Sequence, residues 1–136
     1  MKNSKLSRIL RNFSPGDYDG FQKFICSPFF NEDARLVRLF KHLGEFGPDY
    51  NSKGFSKEKV FAKAFPREKY HDGSFRNMLT NLVHLLESYM AHEVYSSSMQ
   101  TSKTFLLKAY NERRLEREFV STLRTIAVSY KHLRAH

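Results

Sequence analysis

"DGSFRNMLTNLVHLLESYM", residues 72–90, decides the fold class. Phe75, Met78, Leu79, Leu82, Leu86, Tyr89 and Met90 recur at the three- and four-residue spacing of one helix face. Val83 and Leu85 widen that face. A stripe so wide predicts helices packed on both sides of this one. Asp72-Gly73-Ser74 is the opening turn.

Upstream, Ser56 caps a short helix whose apolar side is Val60, Phe61, Ala64 and Phe65, stopped by Pro66. Before it, Asp49 to Gly54 reads as a loop. Leu36, Val37, Leu39, Phe40 and Leu43 form another buried face, ended by Gly44 and Gly47-Pro48. Asn31 is expected to cap that helix, with Glu32 and Asp33 in its first turn. Ser14-Pro15-Gly16-Asp17 starts a helix carrying Tyr18, Phe21, Phe24 and Ile25, which Ser27-Pro28 ends. Leu6, Ile9, Leu10 and Phe13 make the first face. Lys5, Arg8 and Arg11 fall mostly on its other side.

Between two of these helices stands "CSPFFN", residues 26–31. Burying a Phe side chain stabilises by about 1.5–3 kcal/mol. At least one of Phe29 and Phe30 is therefore expected to fold under and pin the corner. Two exposed rings would instead mark a docking site.

Downstream, Ser96 to Ser98 breaks the pattern. Phe105, Leu106 and Tyr110 begin another helix, and Leu115, Phe119, Val120, Leu123, Ile126, Ala127, Tyr130 and Leu133 extend the period. Asn111 to Arg114 holds no Gly or Pro, so residues 101–136 fit one helix or two. No segment alternates with period two. The expectation is an all-α bundle of about six or seven helices, ending in a long helix or helical hairpin. Residues 1–136 read as one helical domain: a core over 1–95 and an extension over 99–136, packed on that core or on a partner.

Composition agrees. The chain has 136 residues, 40% hydrophobic and 27% charged, a globular balance. Its 13 Phe and 7 Tyr, without Trp, imply an aromatic core. One cysteine forms no internal disulfide. No apolar run approaches the roughly 18–20 residues that span a membrane, and the basic N-terminus lacks the apolar stretch of a signal peptide. A cytoplasmic protein is expected, with no membrane insertion. The net charge of +9 favours anionic partners.

The strings FQKFICSPFFN (21–31), ARLVRLFKHL (34–43), KEKVFAKAFPREKY (57–70) and FRNMLTNLVHLLESYM (75–90) occur in that order. They resemble a family of uncharacterised bacterial all-helical proteins with an F..F..SP.FN opening, a K..VF...FP...Y segment and an LR..L..L..L.E.F helix. The resemblance covers about residues 13–110. It implies an all-α fold and no assigned activity. Similar proteins continue into further helical hairpins. LLKAYNERRLEREF (106–119) looks like the start of such a continuation, in a short member or an excised N-terminal region.

Catalytic signatures are missing: no GxSxG, Walker A or GxGxxG occurs, and no carboxylate pair suits acid–base work. Cys26 reads as a small buried residue. Thiolates are favoured at helix N-termini, and it sits at the other end. His132 and His136 share a face at i, i+4, but HLRAH puts Leu where HExxH has its glutamate. His84 and His92 stand two turns apart, and His71-Asp72 reads as a capping turn. No metal, cofactor, small-molecule substrate or enzymatic activity is predicted.

The polar face of the long helix presents Arg76, Asn77, Thr80, Asn81, His84 and Ser88, with Glu87 its first carboxylate. Lys59 and Lys63 project from the preceding helix, and Arg67 and Lys69 lie in the connector. Together, helices 56–65 and 74–92 outline a helix-turn-helix. The connector is longer than usual, and no strand pair follows to make a wing. Two readings stand. One is a non-catalytic interaction or regulatory module binding a protein, including a second copy of itself, through Phe29, Phe30, Phe119, Leu123, Ile126 and Tyr130. The other is a basic DNA- or RNA-binding module, with Lys59, Lys63, Arg67, Lys69 and Arg76 on phosphates and Asn77, Thr80, Asn81 and His84 facing bases.

Overall fold

A computed structural model describes residues 1–135, with side chains described through Lys131. The fold is all-α. Among the described residues are seven helices: α1 (Lys5–Arg11), α2 (Pro15–Ile25), α3 (Ala34–Leu43), α4 (Lys57–Ala64), α5 (Asp72–Ser97), α6 (Met99–Glu112) and α7 (Glu116–Ala135). One 3-10 turn, Gly44–Phe46, follows α3. None of these helices is long and apolar enough to cross a membrane. The chain divides into two compact units, Met1–Tyr89 and Met90–His136.

In the first unit the helix starts follow their caps. Ser14 Oγ accepts the Asp17 N–H at 3.0 Å while the Asp17 carboxylate accepts the Ser14 N–H at 3.0 Å. This reciprocal pairing satisfies two donors that a helix start otherwise leaves open. Ser56 caps α4 in one direction only, its Oγ accepting the Lys59 N–H at 3.3 Å.

Aromatic rings fill the core. Phe21 is fully buried, edge-on to Phe40 at 4.7 Å and to Tyr89 at 5.7 Å. Phe61 gathers Phe65, Tyr70 and Phe75 at 5.3–5.4 Å. Edge-to-face pairs at such spacings add stabilisation beyond the area they bury. Tyr89 of α5 lies across α2 because position 20 has no side chain. A Cβ on Gly20 would stand 2.3 Å from the Tyr89 hydroxyl. The sequence predicts a core of Phe21, Phe24, Leu39, Phe40, Phe61, Phe65, Leu79, Leu82 and Leu86, and all but Leu79 are buried. Leu79 is half-buried at the edge of the α5 stripe, where it lines a surface groove with Val83.

The loop after α3 is anchored rather than free. Tyr50 has a positive φ of 51° and is fully buried. Its hydroxyl pairs with that of Tyr18, and a Cβ on Gly47 would stand 2.9 Å from it. Arg11 of α1 reaches this loop. It donates to the carbonyls of Asp49 at 2.8 Å and Tyr50 at 3.1 Å, and also to that of Lys2.

The second unit contains the end of α5 and a hairpin of α6 and α7. Ser98 breaks the pattern as expected and caps α6 by accepting the Thr101 N–H at 3.2 Å. Residues 101–135 form two helices, not one. Arg114 turns the chain with φ 59°. The Leu115 N–H bonds to the Tyr110 carbonyl at 2.9 Å, and the Arg114 N–H to the Asn111 carbonyl at 3.2 Å. This pair of bonds is the Schellman helix stop, here built on arginine instead of the usual glycine. Among the described residues, none of α6 or α7 is buried. His136, and the side chains of His132 and Leu133, lie outside the described residues.

Candidate functional site

Four surfaces carry the residues singled out above. The first is the corner Cys26–Asp33. Here two expectations fail together, for one reason. Asn31 is not the α3 cap. Its side chain donates to the Ile25 carbonyl at 2.9 Å and accepts the Asp33 N–H at 3.1 Å. Asp33 is the cap, accepting the Arg35 N–H at 2.9 Å. The backbone N–H groups of Phe30 and Asn31 both bond to the Ser27 carbonyl. Polar bonds thus close the corner without a buried ring. Phe29 is 89% exposed and Phe30 41% exposed. Phe30 stacks on the buried Phe24 at 4.1 Å, and Phe29 meets Phe30 edge-on. Cys26 is also exposed rather than buried, because it is the C-cap of α2, beyond the apolar face. Gln22 Nε2 donates to its sulfur at 3.4 Å.

The second surface is the polar face of α5. Asn77, Asn81 and His84 are exposed, and Thr80 Oγ1 donates back to the Arg76 carbonyl at 3.0 Å. Carboxylates bracket this face at both ends. Asp72 binds Lys57 at 2.8 Å, Arg76 at 3.1 Å and the Tyr70 hydroxyl at 2.6 Å. Glu87 binds Lys5 at 2.9 Å. The hydrogen bonds from Lys57 and Tyr70 hold the Asp72 carboxyl below its ordinary range. Partial burial, then the bond to Asp72, push the Tyr70 phenol up to about 12. Lys63 is drawn to Glu45 at 3.0 Å, which holds that carboxyl below its ordinary value. Lys59 and Lys69 stay exposed. Arg76 therefore begins from an existing ion pair, whereas Arg67 belongs to a different surface.

That different surface is a groove of about 910 Å³ between α3 and the α4–α5 connector. Arg35, Arg38, Lys41 and His42 come from α3, and Arg67 and Glu68 from the connector. Val37 and Pro66 also line it. Arg35 lies over the Phe65 ring at 4.6 Å and pairs with Glu68 at 2.9 Å. Arg38 donates its Nε to the Ala64 carbonyl, which fixes its guanidinium against the end of α4. The clue lay in ARLVRLFKHL, where the cations fall on one helix face without a carboxylate. Only the fold shows that the connector makes an opposite wall.

The fourth surface is α7. Val120 is 43%, Leu123 47% and Val128 67% exposed, while Phe119 and Ile126 are half-buried and Tyr130 is exposed. Beyond Glu118 the sequence contains no carboxylate, and Arg124 and Lys131 supply its formal side-chain charge among the described side chains. No group of three or more metal-ligating side chains occurs among the described residues. Comparison with protein-family models, curated proteins and solved structures finds no match to this chain.

Proposed function

We propose that this chain is a non-catalytic helical interaction module of the cytoplasm, binding a protein partner through α7. One observation carries the reading: α6 and α7 form a capped, well-built hairpin without a single buried residue among those described. Helices in proteins gain most of their stability from packing an apolar face. Val120, Leu123 and Val128 leave such a face half open, and a partner would supply the missing burial. The cations beyond Glu118 suit an acidic rim around an apolar partner surface. A second copy of the chain is the first partner to test, with its own acidic residues as the rim.

The test is sedimentation over a range of concentrations, beside crosslinking of the chain in its native cells. Leu123→Asp/Val128→Asp places charge on the apolar stripe. Self-association or one reproducible crosslinked protein, lost in this variant while helix content is kept, supports the reading. A wild-type chain that stays monomeric and yields the same crosslinks as the variant rejects it.

A further inference from the structure

The groove on α3 is lined by no residue of α7 and calls for a different ligand. Its cations span Arg35 to Lys41, six residue steps of helix and thus about 9 Å along the axis. Arg67 faces them from the connector. One small anion would engage a fraction of these groups, whereas a chain of phosphates would engage the series. Glu68, the groove's carboxylate, is already paired with Arg35. The concave shape receives an extended strand better than the convex surface of a duplex.

A second observation lies on the chain that joins two lining residues. Gln22 and Ala34 both line the groove, and the corner between them carries the exposed ring of Phe29. A basic groove for the backbone with an aromatic ring for a base is the recurring arrangement of single-strand recognition. We propose that this groove binds the phosphate backbone of a single-stranded nucleic acid, with Phe29 as the stacking ring. The site differs from the Arg76–His84 face of α5, whose first arginine is held by Asp72.

Arg38 of α3 is prepared for this task, because the Ala64 carbonyl fixes its guanidinium without using its charge on a carboxylate. Ordering it in advance lowers the entropy lost on binding. Arg35 lies over the Phe65 ring and must share its charge with Glu68 to reach a phosphate. Lys41 and Arg67 are exposed and bind without dismantling a helix end, which makes them the groups to change.

The full chain is titrated with a labelled oligothymidylate of about 20 nucleotides, long enough to exceed one binding site, at several salt concentrations. Wild type should bind with a steep salt dependence. Lys41→Glu/Arg67→Glu should weaken binding about tenfold or more and flatten the slope of log K against log salt by about 1.4, two contacts at the single-strand value. Lys53→Glu/Lys108→Glu makes the same change in net charge at exposed positions outside the groove, and should change affinity less than about threefold at physiological salt. Phe29→Ala should cost about fivefold or more with the slope unchanged. Lys41→Ala/Arg67→Ala repeats the groove test without charge reversal, and thermal melts show that each variant is folded.

Equal losses in the groove and control variants would overturn the site, leaving only a field effect of net charge. Loss on Lys69→Glu/Arg76→Glu with the groove variant unaffected would move binding to α5 and equally overturn it. Displacement of the oligonucleotide by polyglutamate at matched charge, with Phe29→Ala silent, would reassign the groove to an acidic protein segment. Failure of wild type to bind at low salt ends the proposal and leaves the partner reading of α7 untouched.

Discussion

Met1–Tyr89 and Met90–His136 are both helical and both capped by serines, yet they bury very different amounts of themselves. The first unit fills its centre with rings, such as Phe21, Phe40 and Tyr89, and anchors its longest loop through Tyr50. The hairpin of the second unit holds no buried residue among those described. Local signals suffice to shape a helix and its turn. They do not supply a core. A segment with good caps and an open apolar face is complete as secondary structure and incomplete as a packed body.

The sharpest way to break this comparison is truncation on each side of it. Phe21→Ala should destabilise by about 3–5 kcal/mol in a denaturant melt, because the ring leaves a cavity among other rings. Leu123→Ala should stay within about 0.5 kcal/mol, as exposed positions usually do. A large loss at Leu123 in the isolated chain would mean that α7 already has its burial.

The next largest effect tests close packing in the first unit. Gly20→Ala gains about 1 kcal/mol of helix propensity. It also drives a methyl into the Tyr89 ring, which is boxed in by Phe13, Phe21 and Phe24. Overpacking typically costs about 1–3 kcal/mol, so the net effect should be a loss of about 1 kcal/mol. Adding Tyr89→Phe, which removes the atom of closest approach, should recover part of that loss. A stabilised Gly20→Ala chain would show that α2 and α5 stand further apart than described.

In the hairpin, Arg114→Gly should act in the opposite direction. A left-handed conformation costs an L-residue about 1 kcal/mol, and glycine adopts it freely. Greater unfolded-state freedom offsets part of the gain, so the hairpin should rise by less than about 1 kcal/mol. Hydrogen exchange of the Leu115 amide, the one that closes the turn, reads this directly. Faster exchange would contradict the turn.

The smallest effect is electrostatic. Asp72 is exposed, and its carboxyl is held below the ordinary 3.8 by Lys57 and Tyr70. Its stabilisation is complete above that value and fades as pH falls through the lowered one. Asp72→Asn should therefore be slightly less stable than wild type at neutral pH, with the gap closing below about pH 4 in paired melts. A gap independent of pH would assign the loss to helix-start geometry instead of charge.

How much of this could be read from the residues follows the same division between local and distant causes. The Ser14–Asp17 box and the Ser56 cap are local patterns with structural counterparts. The α5 stripe is buried along its centre at Phe75, Leu82, Leu86 and Tyr89, but not at Val83 and Leu85, which widen it in the sequence pattern. The Arg114 turn carries no glycine, so nothing local announced it. Asp33 and Asn31 are both plausible caps two residues apart, and the choice depends on where the Ile25 carbonyl ends up. At least one of Phe29 and Phe30 is expected in the core if a tight corner needs a ring to hold it, whereas hydrogen bonds hold this one and both rings stay exposed. The basic groove needed one fact from outside α3: that the connector after Pro66 comes back alongside it.

Tyr50 sets an alkaline limit on the first unit. Its phenol is fully buried and bonded to Tyr18, and burial first, then that bond, push its proton loss far above the ordinary 10. An unfolded chain releases the same proton near 10, so base draws the equilibrium toward unfolding as pH climbs past that point. The chain has no tryptophan, so its near-ultraviolet absorbance is dominated by tyrosine, and phenolate formation is visible without a label. Opening of this unit in base should announce itself as a cooperative step in tyrosinate absorbance, coincident with loss of helix.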